Sequence, residues 1–141
     1  MSTVYPSADE SFAGAKCADG ILSGGVTEPN LCLTEIGLNS PWLSVRLPPL
    51  ALVAEVIVYP PTTCCLKLLR EFEVWVADVV GVPAANSSTL CGKATISNTQ
   101  RSWARLHAPT GMLRADGGFA VQCEGRPSGS VVTLLLPGAD R

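Results

Sequence analysis

The feature that most restricts the fold of this chain is an alternation of apolar and polar residues with a period of two. In EFEVWVA (71–77), Phe72, Val74 and Val76 alternate with two glutamates and a tryptophan. Successive side chains of a strand point to opposite faces, so this pattern predicts a strand with one apolar face. Similar patterns occur in PWLSVRL (41–47), VAEVIVY (53–59), RSWARLH (101–107), GFAVQC (118–123) and SVVTLLL (130–136). VAEVIVY is densely apolar, which predicts a strand covered on both faces.

Turn signals separate these segments. The chain has 13 Gly and 11 Pro, and they cluster at Pro48-Pro49, Pro60-Pro61, Asp116-Gly117-Gly118 and Arg126-Pro127-Ser128-Gly129. No helical stripe extends over several turns, and ESFAGAKCADG (10–20) is expected to hold at most a short turn of helix. With no internal repeat and no linker, the sequence predicts one all-β domain over residues 1–141, a β-sandwich or jelly roll.

Charge and composition exclude several classes of function. The net charge is -2 at pH 7, which does not suit a protein that binds nucleic acid or an acidic membrane surface. Charged residues make up 16% of the chain, against about 25% in average globular proteins, so Ser, Thr, Pro and Gly must form much of the surface. No apolar run approaches the roughly 20 residues of a transmembrane helix.

The sequence also lacks the motifs of common catalytic and metal sites. His107 is the single histidine, and there is no GxSxG motif, no CxxC pair and no glycine-rich loop between a strand and a helix. We therefore expect neither an enzyme nor a bound metal or other cofactor. In RSWARLH, Arg101, Trp103, Arg105 and His107 share one face. Arginines beside an indole can hold a sugar ring or an anion, or they form an ordinary exposed face that keeps the tryptophan soluble.

The six cysteines include the adjacent pair Cys64 and Cys65. Consecutive Cα atoms lie about 3.8 Å apart, closer than the roughly 4.4–6.8 Å that disulfides usually span. The two cysteines therefore have three alternatives. They are bonded to each other in a strained small ring, they form two separate disulfides with other cysteines, or they are buried reduced thiols. Sequence geometry alone leaves these three alternatives open.

Two further features indicate the cellular compartment of the protein. An even number of cysteines suits disulfides in an oxidising compartment, and Asn86-Ser87-Ser88 is a formal N-glycosylation acceptor in a polar loop. These features predict an extracellular protein, secreted or at the cell surface. The opening MSTVYPSADESF lacks the basic-then-apolar order of a signal peptide, as expected of a processed chain or a piece of a longer secreted protein.

The order of several short motifs resembles that of a known family. AKCADG, CLTE, NSPWLSVRL, VYPPTTCCLKLL, FEVWVAD, CGK, FAVQCEGR and VTLLLPGADR follow one another as in the fucolectins, or F-type lectins. These lectins are relatives of the discoidin (F5/8 type C) modules. The resemblance covers roughly residues 12–138 and implies a jelly-roll β-sandwich of the galactose-binding-domain-like type.

The resemblance also implies a pairing of the cysteines. In fucolectins the adjacent cysteines form a vicinal disulfide beside the sugar, and the cysteine of the CG motif is bonded to that of the FxC motif. By match, these pairs are Cys64–Cys65 and Cys91–Cys123. They leave Cys17 and Cys32, which are near enough in sequence to pair. That last pairing departs from the family, where the cysteine matching Cys32 is bonded to one in a final strand.

The family's ligand site is largely missing from this sequence. Fucose binding in the family rests on one histidine and two basic residues, and the matching positions are Leu33 or a residue near it for the histidine, and Pro61 and Leu68 for the basic residues. Lys67 is one residue before Leu68, so on an extended segment its side chain would face the opposite side from the family's second basic residue. Asp19 is a residual position of the family's calcium loop, but calcium takes about six to eight oxygen ligands, so bound calcium is not expected.

The sequence therefore predicts a non-catalytic binding module. The expected role is that of a structural or assembly domain in a larger secreted or surface complex. The alternatives are a carbohydrate-binding lectin domain with altered sugar specificity, and a cytosolic docking platform with reduced thiols. The loop expected to bind a glycan or a protein partner contains Thr62, Thr63, Cys64, Cys65 and Lys67.

A partner strand is expected as well. In the family, one more strand follows the LPG motif and pairs with the N-terminal strand. We expect later sequence of a longer protein, or a partner chain, to supply it by strand addition at an unpaired edge beside SVVTLLL.

Overall fold

The computed structural model describes residues 3–4, 13–22, 32–34, 37–60, 69, 71–95, 111–114 and 116–138. Its elements in chain order are β1 (Thr3–Val4), a 3-10 helix (Gly14–Cys17), β2 (Trp42–Leu52), β3 (Glu55–Val58), β4 (Glu71–Ala77), β5 (Thr89–Thr95), β6 (Gly111–Leu113), β7 (Phe119–Gln122) and β8 (Ser128–Leu135). The described residues contain eight strands and no α-helix, which confirms the all-β class. The 3-10 helix lies within the segment expected to hold a short helical turn.

The strands form two antiparallel sheets. The larger sheet has the order β1-β2-β8-β4-β5 and the smaller one the order β3-β7-β6. β8 lies in the interior of the larger sheet, where Val132 is opposite Val45 in β2 and opposite Val76 in β4. The expectation of an unpaired edge beside SVVTLLL is therefore wrong at that strand. Residues 131–135 of β8 pair with β2 on one side and β4 on the other, so the buried backbone of this stretch has hydrogen-bonding partners on both sides.

Side chains from both sheets meet in a single core. Phe72 and Val74 of the larger sheet and Phe119 and Val121 of the smaller one are at most 2% exposed. The full core cluster is Val53, Phe72, Val74, Val76, Cys91, Ala94, Phe119, Val121, Cys123 and Val132. The sheets thus face each other in a sandwich, and β4 turns the apolar side of EFEVWVA inward as predicted.

Two disulfides are present among the described residues. Cys91 in β5 is bonded to Cys123, which directly follows β7, so this bond joins the larger sheet to the smaller one across the core. Its Cα atoms are 4.3 Å apart. Cys17 is bonded to Cys32, with Cα atoms 5.5 Å apart. Both pairings are those expected from the sequence, whereas Cys64 and Cys65 lie outside the described residues.

Removing the disulfide between the sheets should destabilise the domain strongly. Its cysteines are 32 residues apart, and closing such a loop contributes about 3–4 kcal/mol in the chain-entropy model. We expect Cys91→Ala/Cys123→Ala to lower the free energy of unfolding by at least this amount, because both sulfurs are also buried. Denaturant unfolding measures it. Cys17→Ala/Cys32→Ala, at a separation of 15 residues and with Cys17 exposed, is the control and should cost less. An equal or larger loss in the control would contradict the assignment.

The outer face of the larger sheet is also covered. Ser44 and Thr133, which face away from the core and lie opposite each other in β2 and β8, are fully buried. The loop formed by residues 78–88 folds back over this face. The backbone N–H of Gly81 donates to Ser44 Oγ at 3.2 Å, and Asp78 Oδ1 accepts from the N–H and hydroxyl of Ser130. The larger sheet is therefore buried on both sides near its centre.

The hydrogen bond between Ser44 Oγ and Thr133 Oγ1, 2.7 Å long, should be needed for stability. Thr133→Val keeps the shape of the side chain but leaves the Ser44 hydroxyl short of a partner in a buried site. Losing a buried partner costs about 1–3 kcal/mol, which denaturant unfolding can measure. Thr89→Val makes the same change at an exposed position and should have little effect. Equal stability of the two variants would contradict the role given to this bond.

Several strands differ from the sequence expectations. VAEVIVY is predicted to be covered on both faces, but Glu55 is exposed and Val56, Ile57 and Val58 are half-buried. The reason is that β3 is a short strand that pairs with β7 on one side and lies at one end of the smaller sheet as far as the described strands go. The sequence patterns do not predict β5 and β6, and RSWARLH lies outside the described residues.

The Pro48-Pro49 turn signal proves to be an irregularity within a strand. β2 continues through it to Leu52, and its register with β8 shifts between Arg46 and Ala51. Leu50 in this irregularity has φ 58° and is 81% exposed. A bulge accommodates the prolines because it frees their positions from the ladder of hydrogen bonds.

Candidate functional site

The loop predicted to bind a ligand follows β3 in the chain. Thr62, Thr63, Cys64, Cys65 and Lys67 all lie outside the described residues, as do Pro61 and Leu68 at two of the family's ligand positions. The described chain leads up to this loop through β3, Tyr59 and the buried Pro60. A group of polar side chains on the smaller sheet lies at this border and is the best-defined candidate site.

Asp116 is the centre of this group. It lies in the turn between β6 and β7, which Arg114 and Gly118 close with a backbone hydrogen bond of 2.9 Å. Asp116 Oδ2 accepts from the Tyr59 hydroxyl at 2.9 Å and from Arg114 Nε at 3.2 Å. Asp116 Oδ1 accepts from the Gly118 N–H at 3.2 Å. One carboxylate thus connects the end of β3 to the β6–β7 turn.

Gly118 allows Tyr59 to reach this position. A Cβ atom at residue 118 would lie 2.7 Å from Ile57 Cγ2 and 2.8 Å from Tyr59 Cε1, closer than real Cβ contacts. The side chains of Ile57 and Tyr59 therefore pack directly on the glycine backbone. The turn predicted at Asp116-Gly117-Gly118 is confirmed, but the sequence gives no sign of its role in seating Tyr59.

Glu55 and Gln122 extend the group along the sheet. They are opposite each other in β3 and β7, and Gln122 Nε2 donates to Glu55 Oε1. Arg114 Nη1 lies 3.7 Å from Glu55 Oε2, so Arg114 connects Glu55 to Asp116. We call Glu55, Tyr59, Arg114, Asp116 and Gln122 the Asp116 cluster.

The electrostatics of the cluster follow from these contacts. The backbone N–H of Gly118, with Tyr59 and Arg114 adding to its effect, lowers the pKa of Asp116. The hydrogen bond to Asp116 raises the pKa of Tyr59. Asp116 therefore stays ionised, and Tyr59 keeps its proton at neutral pH. Such a cluster offers fixed hydrogen-bonding groups to a polar ligand.

Substitution of Asp116 should reveal this coupling. In Asp116→Asn we expect the pKa of Tyr59 to fall, because its hydroxyl loses a charged acceptor. Ultraviolet titration of the tyrosines measures it, and Tyr5→Phe in both backgrounds leaves Tyr59 as the only tyrosine of the chain. An unchanged titration would contradict the hydrogen bond.

The same variant should change how stability depends on pH. Because folding lowers the pKa of Asp116, its contribution is present above the pKa of the unfolded chain and is lost as pH falls through the folded value. The wild type should therefore exceed Asp116→Asn in stability at neutral pH, and the difference should shrink in acid. Asp19→Asn, which removes one charge at another exposed aspartate, is the matched control.

The predicted calcium position is a structured turn. Asp19 is exposed, and its Oδ1 accepts from the N–H of Ile21 at 2.8 Å. Among the described residues, no three His, Cys, Asp or Glu side chains are grouped to hold a metal ion. Leu33, at the position of the family's histidine, is half-buried.

A second polar group lies on the outer face of the larger sheet. Glu73 is 7% exposed and accepts from Trp75 Nε1 at 2.8 Å. Lys93, opposite Glu73 in β5, forms an ion pair with it, and this contact raises the pKa of Lys93. The buried charge on Glu73 is paired, so we assign this group to the stability of the sheet.

The glycosylation acceptor predicted at Asn86 lies in the loop 78–88. Asn86 and Ser87 are exposed, and the Ser87 N–H donates to the Ala84 carbonyl at 3.0 Å. Arg101, Trp103, Arg105 and His107, the other face considered from the sequence, lie outside the described residues.

Comparisons with known proteins give no relative. No family model matches the chain, and neither a curated protein nor a solved structure matches it significantly. No helix in the described part of the chain is long and apolar enough to cross a membrane. The likeness to fucolectins consequently rests on the order of motifs in the sequence.

Proposed function

We propose that this chain is a non-catalytic extracellular module of the fucolectin type that serves as a structural or assembly domain and has lost fucose binding. The observation that carries the proposal is the Cys91–Cys123 disulfide. It connects the CG motif to the FxC motif, which is the pairing that the resemblance to fucolectins implies.

The arrangement of strands supports a jelly roll. Jelly rolls place about eight strands in two facing sheets, and the described residues form eight antiparallel strands in a sheet of five and a sheet of three. Two disulfides in the described part support an oxidising, extracellular environment. These features support the galactose-binding-domain-like fold without depending on any one motif.

An assembly role is favoured by the residues at the family's sugar site. Leu33, Pro61 and Leu68 provide none of the charged donors that fix the hydroxyl groups of fucose. A protein partner by strand addition remains part of the proposal. The edge formed by β1, the two-residue strand Thr3–Val4, is where a further strand would pair.

The Asp116 cluster favours a second candidate, a lectin domain with altered specificity. The cluster contains two carboxylates, Glu55 and Asp116, and the guanidinium of Arg114. The Tyr59 ring lies beside them, just before the predicted ligand loop in the chain. Such groups can bind sugar hydroxyls. In this role the ligand would be a glycan other than fucose.

Restoring the missing residues tests the proposal. We expect the wild-type chain to give no fucose signal in titration calorimetry, and added calcium to leave its melting temperature unchanged. Leu33→His, Pro61→Arg and Leu68→Arg together should create measurable fucose binding, because they return one histidine and two basic residues to their family positions. Replacing the same three residues by alanine is the matched control.

The outcomes separate the two candidates. A wild-type chain that binds fucose, or a folded and disulfide-bonded triple variant that does not, would count against the residue matching. A glycan array that shows binding to other sugars, lost in Asp116→Ala but not in Asp78→Ala, would favour the lectin role over the assembly role.

A further inference from the structure

We propose that Asn86 carries an N-linked glycan and that this glycan shields β5, the last described strand of the larger sheet, from pairing with other chains. The inference rests on the extracellular placement in the proposed function. It does not depend on which ligand or partner the module binds.

The acceptor is presented where a transferase and a glycan have room. Residues 84–87 are all exposed, and the hydrogen bond from the Ser87 N–H to the Ala84 carbonyl forms a turn around Asn86. Ser88 supplies the hydroxyl that the acceptor triplet requires at its third position. An N-linked glycan is a bulky surface group, so this exposed turn can carry one without disturbing the core.

The rest of the loop is held against the sheet. Gly81 is hydrogen-bonded to Ser44, and Asp78 to Ser130. The Asn86 turn therefore lies on the solvent side of an anchored loop, in a fixed place relative to the strands below it. A glycan attached there stays close to the larger sheet.

β5 begins at Thr89, three positions after Asn86, and is the last described strand of the larger sheet. It pairs with β4 on one side, spans seven residues and includes Lys93 as its one charged side chain. Edge strands of this length invite pairing with another chain unless a charge, a bulge or a cover prevents it. A glycan next to the first residue of β5 provides such a cover.

Exposed apolar side chains occur in the same region. Val79 and Val82 of the loop are 72% and 61% exposed, and Leu90 of β5 is 38% exposed. Exposed apolar side chains increase the tendency of chains to associate. A hydrophilic glycan on the loop reduces their contact with other chains. The last described strand and the exposed apolar side chains are thus separate reasons for a hydrophilic cover on the larger sheet.

The modification can be tested on the chain secreted from mammalian cells behind a signal peptide. We expect intact-mass measurement to show a glycan that peptide N-glycosidase removes, with Asn86 read as Asp afterwards. Asn86→Gln and Ser88→Ala should abolish it, and Asn98→Gln, at an asparagine with no hydroxyl two positions later, should not. A secreted, disulfide-bonded chain with unmodified Asn86 would overturn the proposal.

The shielding role has its own measurement. Sedimentation velocity over a range of concentrations should show the glycosylated chain as a monomer, and the enzymatically deglycosylated chain as self-associating at lower concentration. Enzymatic removal acts on protein that is already folded, so misfolding of a variant cannot produce the result. Thr89→Lys places a charge at the exposed start of β5 and should restore the monomer after deglycosylation. Unchanged association after deglycosylation would overturn the shielding role.

The intact-mass and sedimentation measurements that test the glycan do not depend on the outcome of the fucose titration that tests the proposed function. A failure of the glycan proposal and a failure of the proposed function are therefore distinguishable.

Discussion

The pairing of β8 with strands on both of its sides is the constraint on which the larger sheet depends. β2 and β4 are not adjacent to each other, and β8 is the strand that connects them. Its residues alternate between the core, through Val132, and the covered outer face, through Thr133. A shift of one residue in the register of β8 would place Thr133 in the core and Val132 on the covered outer face. Because both faces of β8 are buried, the strand is therefore held to one register. The register of β8 therefore fixes the positions of its two neighbours, β2 and β4.

Much of this architecture is readable from the sequence. β4 has the bounds of the EFEVWVA pattern, and β7 and β8 fall within or beside their predicted segments, because apolar alternation directly reports which side of a strand is buried. β5 escapes prediction because Gly92 and Lys93 interrupt any alternation in TLCGKAT, and β6 because three residues are too few to show a period. The prediction that VAEVIVY is covered on both faces is wrong, because apolar content alone does not distinguish an interior strand from one at the end of a small sheet.

The candidate site is less predictable, for a physical reason. Asp116 and Tyr59 are 57 residues apart in sequence, and their contact depends on the register of three strands and on the absence of a side chain at Gly118. No local pattern contains that information. The loop over the outer face is hidden in the same way, because its attachment depends on backbone and hydroxyl groups, such as Gly81 N–H and Ser44 Oγ, that occur in almost any polar segment.

The disulfide between the sheets also affects how the chain would respond to a stretching force. When a chain is pulled from its two ends, tension passes through the Cys91–Cys123 bond and bypasses residues 92–122 between them. At a maximum of about 3.3–3.6 Å per residue, roughly 100 Å of contour length is withheld from extension. Strands β6 and β7 lie within the bypassed segment, so two of the three strands of the smaller sheet stay outside the path of the force.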